Sequence, residues 1–121
     1  MSRSKIAPYV VAAFALLLML SSAAAVSSMS EQRARSKAVA FLKGDPYGQT
    51  HAQVARAIKD ARLRPQGPAK ACTGLAAPAW EFHVVVTTVD KDQFDHGVID
   101  GNLALDARSG EFLCGNLPLL D

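Results

Sequence analysis

Two cysteines, one tryptophan and three histidines are all that 121 residues hold of those types, and each scarcity closes a class of chemistry. Cys72 and Cys114 stand too far apart for a C-x-x-C redox motif or for the short ligand spacing of a zinc site. His51, His83 and His96 are never four residues apart, the spacing at which one helix offers two imidazoles to zinc. No metal and no other cofactor is therefore expected. No glycine-rich loop joins a strand to a helix, so phosphate cradling is not anticipated, and the G-x-S-x-G elbow of hydrolases is missing. The acidic stretch from Asp90 fails as an EF-hand. Its fifth and twelfth positions are Phe94 and Gly101, where that loop needs an oxygen donor and a bidentate glutamate. It reads as a solvated hairpin loop, with a weak surface calcium site on Asp90, Asp92 and Asp95 as the alternative.

What is present begins with Arg3 and Lys5, followed by an uncharged run from Ile6 to Met29. Its most apolar part is Tyr9 to Leu20, and the small residues Ser21 to Ala25 come next. A basic start, an apolar stretch and an A-x-A site describe a secretory signal peptide over residues 1–25. The cut is expected after Ala23-Ala24-Ala25 and before Val26. An uncleaved anchor is the alternative, disfavoured by Pro8 and the Ser21-Ser22 pair. Either way the remainder is translocated to the periplasm or beyond the cell, and the membrane matters only if the segment is retained. No cysteine follows the apolar run, which argues against a lipid-anchored form.

Residues 26–121 then form a single small domain, and a core this modest gains from a staple. In an oxidising compartment Cys72 and Cys114 are expected to be bonded. Closing that loop is worth ~4 kcal/mol in the chain-entropy account. This part of the chain is neutral but unevenly so. From Met29 to Lys70 the basic residues exceed Glu31, Asp45 and Asp60 by six, and from Ala71 onward the acidic residues exceed Lys91 and Arg108 by six. Such halves could meet partners of opposite charge, or simply solvate two kinds of element differently.

The order of elements is read from periodicity. Ser28-Met-Ser-Glu31 fits a capping box, and Ala34, Ala38, Phe41 and Leu42 share one helical face. Gly44 stops this helix and Asp45-Pro-Tyr-Gly48 makes a turn. A second helix starts at Thr50, with Val54, Ala55, Ile58 and Ala61 on one face and Leu63 extending it. Two prolines and a glycine between Arg64 and Lys70 end it. Trp80, Phe82, Val84 and Val86 alternate with Glu81, His83, Val85 and Thr87 as a half-buried strand, and that alternation makes Trp80 a core residue. Val98 to Ala107 is the next strand, paired as a hairpin with Glu111 to Cys114. The fold expected is α+β: two N-terminal helices packed on a small antiparallel sheet of about three strands, stapled by one disulfide.

The segments Trp80-Glu-Phe-His-Val-Val-Val86 and Gly101-Asn-Leu-Ala-Leu-Asp-Ala-Arg-Ser-Gly-Glu-Phe-Leu113 resemble the strand pattern of PepSY-like domains. That family has an aromatic-rich strand followed by a strand that ends in an Asp-Ala-x-Thr-Gly-Glu hairpin. Here Ser109 replaces the threonine, and the match covers about a third of the chain. The resemblance implies an exported bacterial protein that binds or inhibits an envelope protease, or serves beside a larger partner.

For catalysis the best acid/base candidate is His83, with Glu81 two residues away on the same strand face. Side by side, the carboxylate would raise the histidine's basicity; the plainer reading is an exposed polar pair on the wet face. Basic residues have only Phe41 and Tyr47 nearby, too few aromatics for nucleic-acid binding. The expected function is non-enzymatic binding of a protein partner in the envelope. Its candidate surfaces are the basic set Arg56, Lys59 and Arg62 or the acidic set Asp90, Asp92 and Asp95. A small envelope enzyme or ligand-binding domain using His83 and Glu81 is the rival.

Overall fold

The structure is a computed structural model that describes residues 28–87 and 91–120. The expected signal segment with Ala23, Ala25 and Val26, and the loop residue Asp90, lie outside the described residues. Helix α1 spans Glu31–Leu42, helix α2 His51–Ala57, and four strands follow: β1 Ile58–Arg64, β2 Ala79–Thr87, β3 Val98–Asp106 and β4 Phe112–Gly115. The strands form one antiparallel meander in the order β1-β2-β3-β4. The α+β class, the antiparallel sheet and the disulfide are as expected; the division of the chain between helix and sheet is not.

The second helix is half as long as its apolar face suggested. It stops at Ala57, and Ile58–Arg64 is a strand. Lysine, alanine, leucine and arginine all favour helix intrinsically, but that preference is worth only tenths of a kcal/mol per residue. A competing period of two runs through the same residues. Ala61 and Leu63 face Phe82 and Trp80, while Asp60, Arg62 and Arg64 share the other face. Pairing with a long apolar strand outweighs local propensity, so the sheet gains a fourth strand. The register shifts between Ile58 and Asp60, which makes Lys59 the extra residue of a bulge.

Two smaller corrections concern α1. Its cap is Ser30, whose hydroxyl accepts from the Arg33 amide at 3.2 Å, rather than Ser28. Met29 is already committed to the sheet. Its amide donates to the Ala107 carbonyl at 2.8 Å, and its own carbonyl accepts the Trp80 indole N–H at 3.0 Å. Phe41 was expected in the core but is 40% exposed, stacked on Phe112 with ring centroids 4.9 Å apart. Val39 takes its place beside Ala34, Ala38 and Leu42.

The main core lies between the helices and one sheet face. Trp80, Phe82, Val84, Leu103 and Leu105 meet Ala34, Ala38, Leu42 and Val54 there. α2 carries the reciprocal cap that its sequence allows: Thr50 Oγ1 accepts the Gln53 amide, and Gln53 Oε1 accepts the Thr50 amide. The turn between the helices closes through two bonds linking Gly44 and Gly48 and contains a cis Asp45–Pro46 peptide. Tyr47 in that turn is buried and donates its hydroxyl to the Pro118 carbonyl, fastening the C-terminal segment. The β3–β4 hairpin closes as anticipated, with Gly110 at φ +76° and Asp106 Oδ1 accepting the amides of Arg108 and Ser109. Those amide donors, Ser109 and then Arg108, hold the Asp106 carboxyl below the usual aspartate range.

Candidate functional site

Among the described residues no helix covers the sheet's second face, and the chain from Pro65 to Pro78 folds over part of it. Several attachments hold this loop. The Cys72–Cys114 disulfide ties it to β4, with Cα atoms 6.2 Å apart. A small second core of Ala71, Ala79 and Ala104 lies beneath it. The third attachment is Glu81.

Glu81 was expected as half of an exposed polar pair, yet it is only 3% exposed. Its position opposite Arg62 on β1 and Ala104 on β3 places it mid-sheet, under the loop. Oε2 accepts three successive backbone amides, Ala69 at 3.0 Å, Lys70 at 2.8 Å and Ala71 at 2.8 Å. Oε1 accepts Arg64 Nε at 3.0 Å. Converging amides of this kind are usually met around bound anions; here the anion is the protein's own side chain. Burial pushes the Glu81 carboxyl upward, but the three amides and the Arg64 guanidinium outweigh it and hold the group below the usual glutamate range. Asn116 adds a further tie, since its Nδ2 donates to the Lys70 carbonyl at 3.1 Å while its Oδ1 accepts the Asn102 amide at 2.6 Å.

Where the loop ends, a charged concavity of about 250 Å³ opens on the same face. Asp60, Arg62 and Arg64 of β1 form one wall, Glu81 and His83 of β2 the floor, and Asp100 and Asn102 of β3 the other wall, with Lys70 at the rim. These residues share a face because 60 is opposite 83, which is opposite 102, and 62 is opposite 81. His83 does not turn to Glu81. Its Nε2 lies 2.7 Å from Asp100 Oδ1, on the diagonal position of the next strand, and both side chains are well exposed. Arg62 Nε pairs with Asp60 Oδ2 at 2.8 Å, and this hydrogen bond together with the guanidinium charge keeps Asp60 below its ordinary value.

The chemistry available follows directly. A carboxylate with four donors and a lowered pKa is a permanent anion and exchanges no proton near neutrality. Among the described residues, those that line the concavity beside the His83–Asp100 pair are charged or amide side chains. What the groove offers is charge recognition by two guanidinium groups, an ammonium and two exposed carboxylates. Among the described residues, no group of three metal-ligating side chains converges.

The other sequence-designated residues are dispersed. Arg56 ends α2, and Lys59 at the bulge donates its ammonium to the Arg56 carbonyl at 2.7 Å, so those two are neighbours. Arg62 points from β1 to the open face. Asp92 is exposed in the turn before the short 3-10 helix Asp95–Gly97, in the loop that joins β2 to β3. Sequence reasoning missed Arg64, Lys70, Asp100 and Asn116. The one available signal was Glu81 itself, a carboxylate inside a run of otherwise apolar or aromatic residues that demands a partner wherever both faces are covered.

The chain matches no protein-family model, no curated protein and no solved structure.

Proposed function

We propose that this domain is a non-enzymatic binding module of the bacterial envelope, exported and PepSY-like in its strand half, that engages a protein partner such as a protease. The observation that supports this reading most is the use made of Glu81. Its carboxylate is spent on holding the 65–78 loop, so the pairing with His83 that an enzyme reading required is not made. Left open are charged surfaces suited to recognition, the groove and the basic rim of Arg56, Lys59 and Arg62. A crosslinked pull-down of a C-terminally tagged copy from the cell envelope tests the proposal. Recovery of one protein in stoichiometric amount supports it, and a blank counts against it.

The 2.7 Å contact between His83 and Asp100 favours one rival, a ligand-binding or catalytic groove in which Asp100 takes the role first given to Glu81. His83→Ala separates the two readings. A binding module that docks through its basic rim keeps its partner and its fold, whereas a groove that works through the imidazole loses its function.

A further inference from the structure

We infer that the outer edge of β1 takes up an extended segment of the partner as a fifth strand, one in which acidic residues alternate with apolar ones. This rests on the binding-module reading and specifies which surface acts and what it selects.

Among the described residues, β1 ends the sheet on one side and pairs with β2 alone. Such an edge presents backbone N–H and C=O groups to an incoming chain, the basis of recognition by strand addition. The opposite edge is a poorer template, since β4 has four residues against seven in β1.

Side chains then set the sequence that fits. On the helix side, a new strand would lie beside Ala61 and Leu63. Leu63 is 41% exposed although its partner Trp80 is buried, so apolar area is left for a neighbour to cover. On the open side, the new strand would lie beside Arg62 and Arg64. Arg64 is held in place by Glu81, and Arg62, itself well exposed, pairs with Asp60 two residues away. Neighbours across strands sit roughly 5 Å apart, within reach of a carboxylate. Lys59 and Arg56 extend the positive field along the same edge, where Asp60 is the acidic residue of β1 itself. A second copy of this chain is disfavoured by the same charges, because pairing β1 with β1 sets guanidinium groups against each other.

The test uses the folded, disulfide-bonded domain and two seven-residue peptides, one alternating valine with glutamate and one alternating valine with lysine. Amide exchange is followed by NMR. The glutamate peptide should slow exchange of the β1 amides that do not bond to β2 by roughly tenfold at saturation, and the lysine peptide should not. Arg62→Glu should weaken glutamate-peptide binding by roughly tenfold while leaving the sheet's own protection intact, since Arg62 is exposed. Protection that fails to appear on β1, equal binding of the two peptides, or self-association through β1 each overturns the inference. The pull-down repeated with Arg62→Glu keeps the two claims apart. A partner still recovered by the variant refutes the edge and spares the binding module. A blank from the unaltered protein refutes the module, while the peptides judge the edge independently.

Discussion

Replacing Glu81 should damage this domain more than any other single change to a charged side chain, and the size of the loss can be worked from its four bonds. Glu81→Ala removes the acceptor for three amides and for the Arg64 guanidinium. These do not count equally. Ala69 and Lys70 are exposed and Arg64 is partly so, and their donors can turn to water; Ala71 is 4% exposed, and its amide cannot. One orphaned amide costs about 1–3 kcal/mol, to which the loss of charge-assisted bonds adds. Against this, the carboxylate no longer has to be desolvated, and Cys72 still tethers the loop. The balance is about 3 kcal/mol, the lower end of what breaking a buried ion pair costs. For a domain of this size that lowers Tm by roughly 12–24 °C.

Glu81→Gln sharpens the test, because it keeps the shape. An amide has one accepting oxygen and one donating nitrogen, so either the three backbone N–H groups or Arg64 must face a donor. Gln should therefore cost about 2 kcal/mol instead of rescuing the site. The pH dependence carries a sign. The folded protein holds this carboxyl below its ordinary value, so its contribution is whole above the unfolded pKa and is lost as pH falls through the lowered folded one. Urea unfolding followed from about pH 7 to about pH 3 should show a steeper loss in the unaltered protein than in Glu81→Gln. A Gln variant within about 0.5 kcal/mol of the parent, with the same acid profile, would refute the reasoning.

Three further outcomes are expected. Unreduced protein should resist alkylation at both Cys72 and Cys114, and the paired serine variant should lose up to about 4 kcal/mol in urea unfolding; free labelling would contradict the bond. Gly67→Ala should cost about 2 kcal/mol or more, since this residue has φ +116° and a Cβ would lie 2.0 Å from the Leu75 carbonyl oxygen; an unchanged midpoint would sink the loop geometry. Tyr47→Phe should cost about 1 kcal/mol through the lost bond to Pro118. Burial pushes the Tyr47 hydroxyl up to about 12, so its contribution is whole below the ordinary tyrosine value and drains away as pH rises toward the folded one; the Phe variant should lack that alkaline loss in unfolding experiments.

Much of this fold is written in local pattern, and what is not depends on pairing. Trp80 to Val86 and Leu103 to Leu105 alternate strictly enough to declare both strand and buried face, and the Asp106 to Gly110 turn declares its hairpin. Residues 58–64 satisfy two periods at once. Nothing inside that segment reveals that a strand 20 residues later needs a second neighbour, which is why a helix was expected there. The groove was obscured for the same reason. Asp60, Arg62 and Arg64 lie on one face only if the segment is extended, so a helical assignment scatters the wall of the site. The importance of Glu81 was half legible. Its place beside His83 was correct as spacing, but the loop that buries it is joined by contacts 10–12 residues away, beyond the reach of any alternation rule.

The uneven charge of the chain takes its meaning from the topology. A meander lays its strands side by side in sequence order, so position along the chain becomes position across the sheet. Among the basic residues before Lys70, Lys59, Arg62 and Arg64 fall on β1, Arg56 on α2, and Arg33, Arg35 and Lys37 on α1, while Asp100 and Asp106 fall on β3. β1 departs from a plain division into basic helices and acidic strands, because it is a strand and carries Arg62 and Arg64 with Lys59 at its bulge. The two halves also touch where they meet. Arg64 from the basic half neutralises Glu81 from the acidic half, and that bond orients the guanidinium beside the open edge. The anion that pins the loop thus also sets the charge an incoming strand would encounter. Glu81→Gln should accordingly weaken acidic-peptide binding at β1 even where the loop stays folded, because an Arg64 freed from its anchor loses its orientation and pays the entropy of regaining it. A Gln variant that binds the peptide as tightly as the parent would uncouple the loop from the edge.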